Sequence, residues 1–199
     1  RIHIADFKIN RGLKIGITGR SGVGKSTFIK SILGLNEYLK GDVYINSNSA
    51  SYPFLGVYKV SYLNQEGDLI TGSVLDNLGI TERVNDQEYM LNIGRLLKDL
   101  DLPYNDEIYG LRVQKLSGGQ QQRVRVLSTA ISDCDIIVFD EATSALDKDS
   151  VQKVLKFLAS EDFQDKTMIF ISHDASVLDQ MDLIYEIDHK AISLKCAVS

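Results

Sequence analysis

Cysteine is scarce in this sequence: Cys134 and Cys196 stand far apart, without the paired spacing that zinc or redox sites need. Both read as ordinary residues of a reducing compartment. Long hydrophobic runs are missing as well. The longest, such as Ile136–Phe139 and Met168–Ile171, fall far short of the roughly 20 residues that a bilayer demands, so membrane contact is expected to come through a partner. No basic stretch stands out, because 22 Lys and Arg are interspersed with 27 Asp and Glu for a formal net charge of -5. That distribution lacks the electrostatic footprint of a nucleic-acid binder and speaks against DNA or RNA as the main partner. Internal repeats and low-complexity linkers are absent, and nothing at Arg1 resembles a signal peptide. The chain begins without methionine and is read as a fragment, truncated at its N-terminus.

What is there suffices for one compact domain: 199 residues with 44% hydrophobic content can bury a single core. Short β-rich runs alternate with helix-period segments, the pattern of an α/β domain with helices on a mostly parallel sheet. Strands are predicted at Ile2–Ile9, Leu13–Thr18, Asp42–Ile45, Val57–Leu63, Ile136–Phe139, Thr167–Ile171 and Leu183–Ile187. A loop is predicted over Asn46–Ser51 because that stretch is polar. Helices are predicted over Lys25–Leu33, ended by Gly34, and over Asp86–Leu100, where Met90, Ile93, Leu97 and Leu100 share a face and Pro103 follows. Two more are predicted at Gln120–Ile131 and Asp147–Leu158, the latter with Val151, Val154, Leu155 and Leu158 on one side. Residues 66–131 are expected to form a helical subdomain, and 1–65 with 132–199 the core.

Gly19-Arg20-Ser21-Gly22-Val23-Gly24-Lys25-Ser26-Thr27 fits the phosphate-binding pattern G-x-x-x-x-G-K-S/T, between a predicted strand and a predicted helix. Its glycines let the backbone wrap closely so that N–H groups point at phosphate oxygens, and the helix N-terminus adds partial positive charge. Lys25 is expected between the β- and γ-phosphates of a nucleoside triphosphate, and the Ser26 hydroxyl on Mg²⁺. A glycine-rich turn that binds nothing would leave the lysine and serine unexplained. Downstream, the apolar strand Ile136–Phe139 ends in Asp140-Glu141, two carboxylates at the sheet edge where open α/β sheets bind ligands. Asp140 suits a place near Mg²⁺, and Glu141 suits polarising the water that attacks the γ-phosphate. Alone, such a pair could equally be a solvated strand end or a helix cap.

Between these motifs lies Leu116-Ser117-Gly118-Gly119-Gln120-Gln121-Gln122-Arg123. Physically it is a Ser-Gly-Gly turn at a helix N-terminus, an anion-binding device that taken alone could be only a well-capped helix start. The run resembles the signature sequence of ATP-binding cassette (ABC) ATPases, and its order after the cradle and before the acidic strand matches that family. The resemblance spans about Ile2 to Leu194 and implies the P-loop ABC ATPase fold, with a β-rich N-terminal part and a helical insertion. It further implies that Gln65 is the loop glutamine that reaches Mg²⁺ and attacking water and faces a transmembrane partner. By the same token His173 is the switch histidine on the γ-phosphate, and Ser144-Ala145-Leu146-Asp147 the loop crossing a dimer interface.

Two such domains meet head to tail in the family, so Ser117, Gly118, Gly119 and Gln120 of one chain are expected against ATP held by Gly19–Thr27 of the other. The reading that follows is ATP hydrolysis on the cytoplasmic face of a membrane, driving transport through a transmembrane domain. Leu69–Asn77 and the compact insertion between Gln65 and Ser117 are similar to exporters, whereas Gly110-Leu111-Arg112-Val113 stands where exporters often carry Gly-Glu-Arg-Gly. An importer subunit and a non-transport nucleotide switch are the alternatives. The family's adenine-stacking aromatic has no counterpart among these residues. Phe7, the nearest aromatic before Gly19, alternates with its neighbours and is read as core, so adenine stacking is expected to be weak or lost.

Overall fold

A computed structural model describes residues 3–4, 7–36, 43–45, 48–50, 58–64, 67, 69–103, 111–188 and 191–197. The strands, in chain order, are β1 (His3–Ile4), β2 (Lys14–Gly19), β3 (Val43–Ile45), β4 (Asn48–Ala50), β5 (Val60–Leu63), β6 (Ile136–Asp140), β7 (Thr167–Ile171), β8 (Leu183–Asp188) and β9 (Ala191–Ala197). The helices are α1 (Lys25–Ile32), α2 (Val74–Leu78), α3 (Gln87–Asp99), α4 (Gly118–Ala130), α5 (Lys148–Leu158) and α6 (Ala175–Leu178). None of the described helices is long and apolar enough to cross a membrane. Two compact units divide the chain: 1–61 with 133–140 and 166–199, and 62–132 with 141–165.

The first unit is built on a sheet of order β1-β9-β8-β2-β7-β6-β5, with the first half of β5 belonging to this unit. β2 pairs in parallel with both β7 and β8, and β6 pairs in parallel with β7. Central parallel strands are covered on both faces and therefore read as continuous apolar runs. β6 and β7 obey this rule, with every residue buried. Each fully buried Ile or Val contributes about 1.5–3 kcal/mol, which is why these runs were legible. Their register fixes the site: Asp140 lies opposite Ile171, and Ile171 opposite Ile17. The carboxyl ends of three strands thus share one edge.

Three expectations change here. The strand predicted over Ile2–Ile9 ends at Ile4, and residues 7–10 are not strand. The Phe7 ring, half-buried, instead packs 5.1 Å from buried Phe28 and 4.7 Å from buried Tyr185, so it borders the core without the alternation of a strand. Second, part of the predicted loop Asn46–Ser51 is strand: Asn48–Ala50 pairs antiparallel with Val43–Ile45. Backbone pairing there outweighs the polar side chains. Third, β9 closes antiparallel on β8, with a register shift at Ile184/Tyr185, and was not predicted.

The second unit is helical. Asp86 caps α3 by accepting from the Tyr89 N–H, and Ser73 caps α2 in a reciprocal box with Asp76. Met90, Ile93 and Leu97 are buried as their spacing predicts, and Val124, Leu127, Val151, Val154 and Leu158 complete an apolar interior. The Asn77 amide accepts from the Ile70 N–H at 2.8 Å and donates to the Ile70 and Ser73 carbonyls at 3.0 and 2.9 Å. The loop before α2 is thereby tied to the helix.

Candidate functional site

The cradle begins where β2 ends. Gly19 has φ 141, and a Cβ there would stand 2.4 Å from the Ile187 carbonyl oxygen, so only glycine lets the chain leave the sheet at this point. Gly24 opens α1 in the left-handed region (φ 101) with no side-chain cap. The start of α1 therefore carries the partial positive charge of a helix N-terminus, which suits an anion. Lys25 is buried at 8% exposure. Its Nζ donates to the Gly19 and Arg20 carbonyls at 3.0 and 3.2 Å. The ammonium is held against the loop it would share with a phosphate.

Ser26 Oγ donates to Asp140 Oδ1 at 2.9 Å, which joins the cradle to the end of β6. A hydroxyl oxygen and a carboxylate oxygen converging on one point suit a hard divalent cation such as Mg²⁺, which takes oxygen ligands and fills its octahedron with phosphate oxygens and water. Among the described residues no group of three or more His, Cys, Asp and Glu is placed to hold a metal by itself. His173 follows β7 in this same unit and is exposed. The turn beneath it is pinned, since the Ser172 N–H donates to the Ile17 carbonyl at 3.1 Å and Ser172 Oγ accepts from the Asp174 N–H at 3.1 Å.

The second unit carries the other group of residues. Ser117 caps α4, accepting from the Gln120 N–H at 3.3 Å, while Gln120 Oε1 accepts from the Ser117 N–H at 3.0 Å. This capping box leaves Ser117 and Gly118 exposed at the tip. Gly119 lies beside Leu146: a Cβ on it would be 3.7 Å from the leucine methyl, so the signature turn and the Ser144–Asp147 loop are neighbours. Asp147 caps α5, and the Ser150 backbone N–H, with help from the Ser150 hydroxyl, holds its carboxyl below the usual range. Glu141 is half-buried and adopts φ 54, one of two non-glycine residues with positive φ among those described.

The structure thus groups Gly19–Thr27, Asp140 and His173 in one unit, and Ser117–Gln120, Glu141 and Ser144–Asp147 in the other. Gln65 lies outside the described residues, as does Gly110. Sequence reading missed that the three successive glutamines of α4 are each anchored differently. Gln120 serves the cap, Gln121 Nε2 donates to the Val113 and Leu116 carbonyls at 3.2 and 3.1 Å, and Gln122 Nε2 donates to the Ala142 carbonyl. Three consecutive polar residues on a helix turning 100° per residue must face three directions, which was the available signal.

A family model described as ABC transporter matches residues 2–144. The chain is 32% identical over 194 residues to the pediocin PA-1 transport/processing ATP-binding protein of Pediococcus acidilactici, covering 90% of this chain and 26% of that protein. It spans 11% of the length of an ABC transporter C family member of Arabidopsis thaliana and 27% of an alpha-hemolysin translocation ATP-binding protein of Escherichia coli O157:H7, which it also matches. Among solved structures it resembles a dimeric bacterial ABC transporter cassette, with a TM-score of 0.75, 25% identity, and coverage of 94% of this chain and 86% of that one. It also resembles a bacterial Atm1-family ABC exporter with ATP bound, with a TM-score of 0.74, 25% identity, and coverage of 94% and 34%.

Proposed function

The chain belongs to the ABC transporter family, and from that premise we propose that it binds and hydrolyses ATP to drive transport across a membrane, as the nucleotide-binding domain of an exporter. The observation that carries the ATPase reading is the Ser26–Asp140 hydrogen bond, because it brings the cradle and the acidic strand to one point. Likeness to a pediocin transport protein and to an ATP-bound exporter supports export over import. An importer subunit remains the alternative within transport, and a non-hydrolysing switch is disfavoured because it has no need of Glu141 and His173.

In this reading Lys25 exchanges two neutral carbonyls for the β- and γ-phosphate oxygens, a stronger, charge-assisted contact. The N–H groups of Gly19–Thr27 hold the remaining phosphate charge. Ser26 and Asp140 are the residues that would hold Mg²⁺, with Gln65 as a further ligand, and the ion supplies charge neutralisation at the phosphates. Glu141 accepts a hydrogen bond from the attacking water and orients it in line with the bond to be broken. His173 contacts the γ-phosphate and senses its loss.

A second copy completes the site. The helix start at exposed Ser117 and Gly118 and half-buried Gly119, stiffened by Gln120, presents donors to the γ-phosphate held by the partner, and the Ser144–Asp147 loop crosses the interface. ATP favours the closed pair because its γ-phosphate touches both chains, and only such differential contact can shift the equilibrium. In the family the glutamine loop, matched here by Gln65, meets a transmembrane domain, and on that resemblance the chain works at the cytoplasmic face of a membrane. Phosphate release with Mg-ATP tests the reading: release by the parent chain is expected, with Lys25→Ala losing nucleotide binding. A parent chain that binds ATP without releasing phosphate would leave the switch as the correct alternative.

A further inference from the structure

The backbone at Glu141 needs an explanation. A non-glycine residue at φ 54 is in the left-handed region, which persists only where surrounding structure over-determines it. Two hydrogen bonds hold the backbone that leaves it. The Ser144 N–H donates to the Glu141 carbonyl at 3.1 Å, closing a turn on it. Gln122 Nε2, reaching from α4, donates to the carbonyl of the next residue, buried Ala142.

Gln122 is itself held in place. It is buried at 5% exposure, and its Oε1 accepts from Arg125 Nη1 at 2.8 Å, one helical turn on. Arginine can only donate and a backbone carbonyl can only accept. Arg125 on one side and the Ala142 carbonyl on the other therefore permit one orientation of the amide. The chain of contacts runs from Arg125 to Gln122 to the Ala142–Thr143 peptide, the one that follows Glu141's own, all within the second unit.

We propose that Gln122, oriented by Arg125, is a positioning residue for ATP hydrolysis, holding Glu141 in the strained conformation from which it orients water. The proposal rests on the ATPase reading above. It also gives the helix that starts at the signature turn a direct hold on the glutamate of its own chain. Movement of α4 when Ser117–Gly119 engage a partner's nucleotide is then felt at Glu141.

The test uses the full chain carrying Gln122→Met, which preserves volume without the donor, and Gln122→Glu, which keeps the shape and the Arg125 partner but supplies no amide donor. Mg-ATP turnover and amide hydrogen exchange are measured together. Both variants should lose about 10- to 100-fold in kcat, the scale of a misplaced reacting group, with KM within about two-fold of the parent. Arg125→Met should fall less, and the double variant no further than Gln122→Met, since the two residues act through one contact. In a Glu141→Gln background Gln122→Met should leave the residual rate unchanged. Amide exchange should quicken over residues 141–146.

An unchanged kcat in Gln122→Met, full rescue by Gln122→Glu, or an equal fall in the Glu141→Gln background would overturn the proposal while leaving the ATPase reading intact. A parent chain that releases no phosphate would defeat that reading. Exchange still decides the positioning claim in that event, and an unaltered rate over 141–146 sinks it.

Discussion

Ser26 and Asp140, 114 positions apart in the chain, meet through a 2.9 Å hydrogen bond from the serine hydroxyl to Oδ1. The register of β6, β7 and β2 delivers this contact, so the sheet is the device that sets the site. Two substitutions separate its structural part from its chemical part. Ser26→Ala removes one hydrogen bond, worth about 1 kcal/mol, and should lower Tm by only about 2–4 °C in a chain of this size. Asp140→Asn keeps an oxygen for Ser26 to donate to but removes the charge. Its Tm should stay near the parent's while Mg-dependent phosphate release falls at least about 100-fold, as thermal melts and a phosphate assay would read. Parental activity in Asp140→Asn would remove Asp140 from the Mg²⁺ set.

Helix caps give the fold a defined acid limb. The Ser150 N–H and hydroxyl hold Asp147 below the ordinary carboxylate range, and Asp76 and Asp86 are lowered chiefly by backbone N–H bonds from Ser73 and Tyr89. A lowered folded value means that stability is fully present above the unfolded value, about 3.9. That stability is lost as pH falls through the folded value. Asp147→Asn retains a capping oxygen but cannot titrate. Its Tm should therefore lie slightly below the parent's near neutrality and converge with it below about pH 4; a gap that does not change with pH would show that the cap carries no charge-dependent part.

The strand ends and helix starts at Gly19–Lys25, Ser117–Gly118 and Asp140 could be located from the chain because glycines, a capping serine or an apolar run marks each of them. Ile136–Phe139 is buried on both faces, and Asp147 caps the helix whose apolar face begins at Val151. β9 escaped notice because its alternation mixes buried Ile192 with exposed Leu194, and it becomes a strand only through pairing with β8. The short helix at Val74–Leu78 is set by a Ser73–Asp76 box, too brief for a periodic signal. Gln122 was visible only as one glutamine of three. Its partner, Ala142, is a backbone carbonyl with no side-chain signature, and the positive φ of Glu141 is set by tertiary contacts rather than by residue type.

The most direct test of the account is the mass of the Glu141→Gln chain by light scattering, with and without ATP and in the absence of Mg²⁺. The cradle of one copy and the signature of another must both work for ATP to join them. Conversion of monomer to dimer on adding ATP is the expected result. A chain that stays monomeric while separately shown to hold ATP would contradict the head-to-tail arrangement.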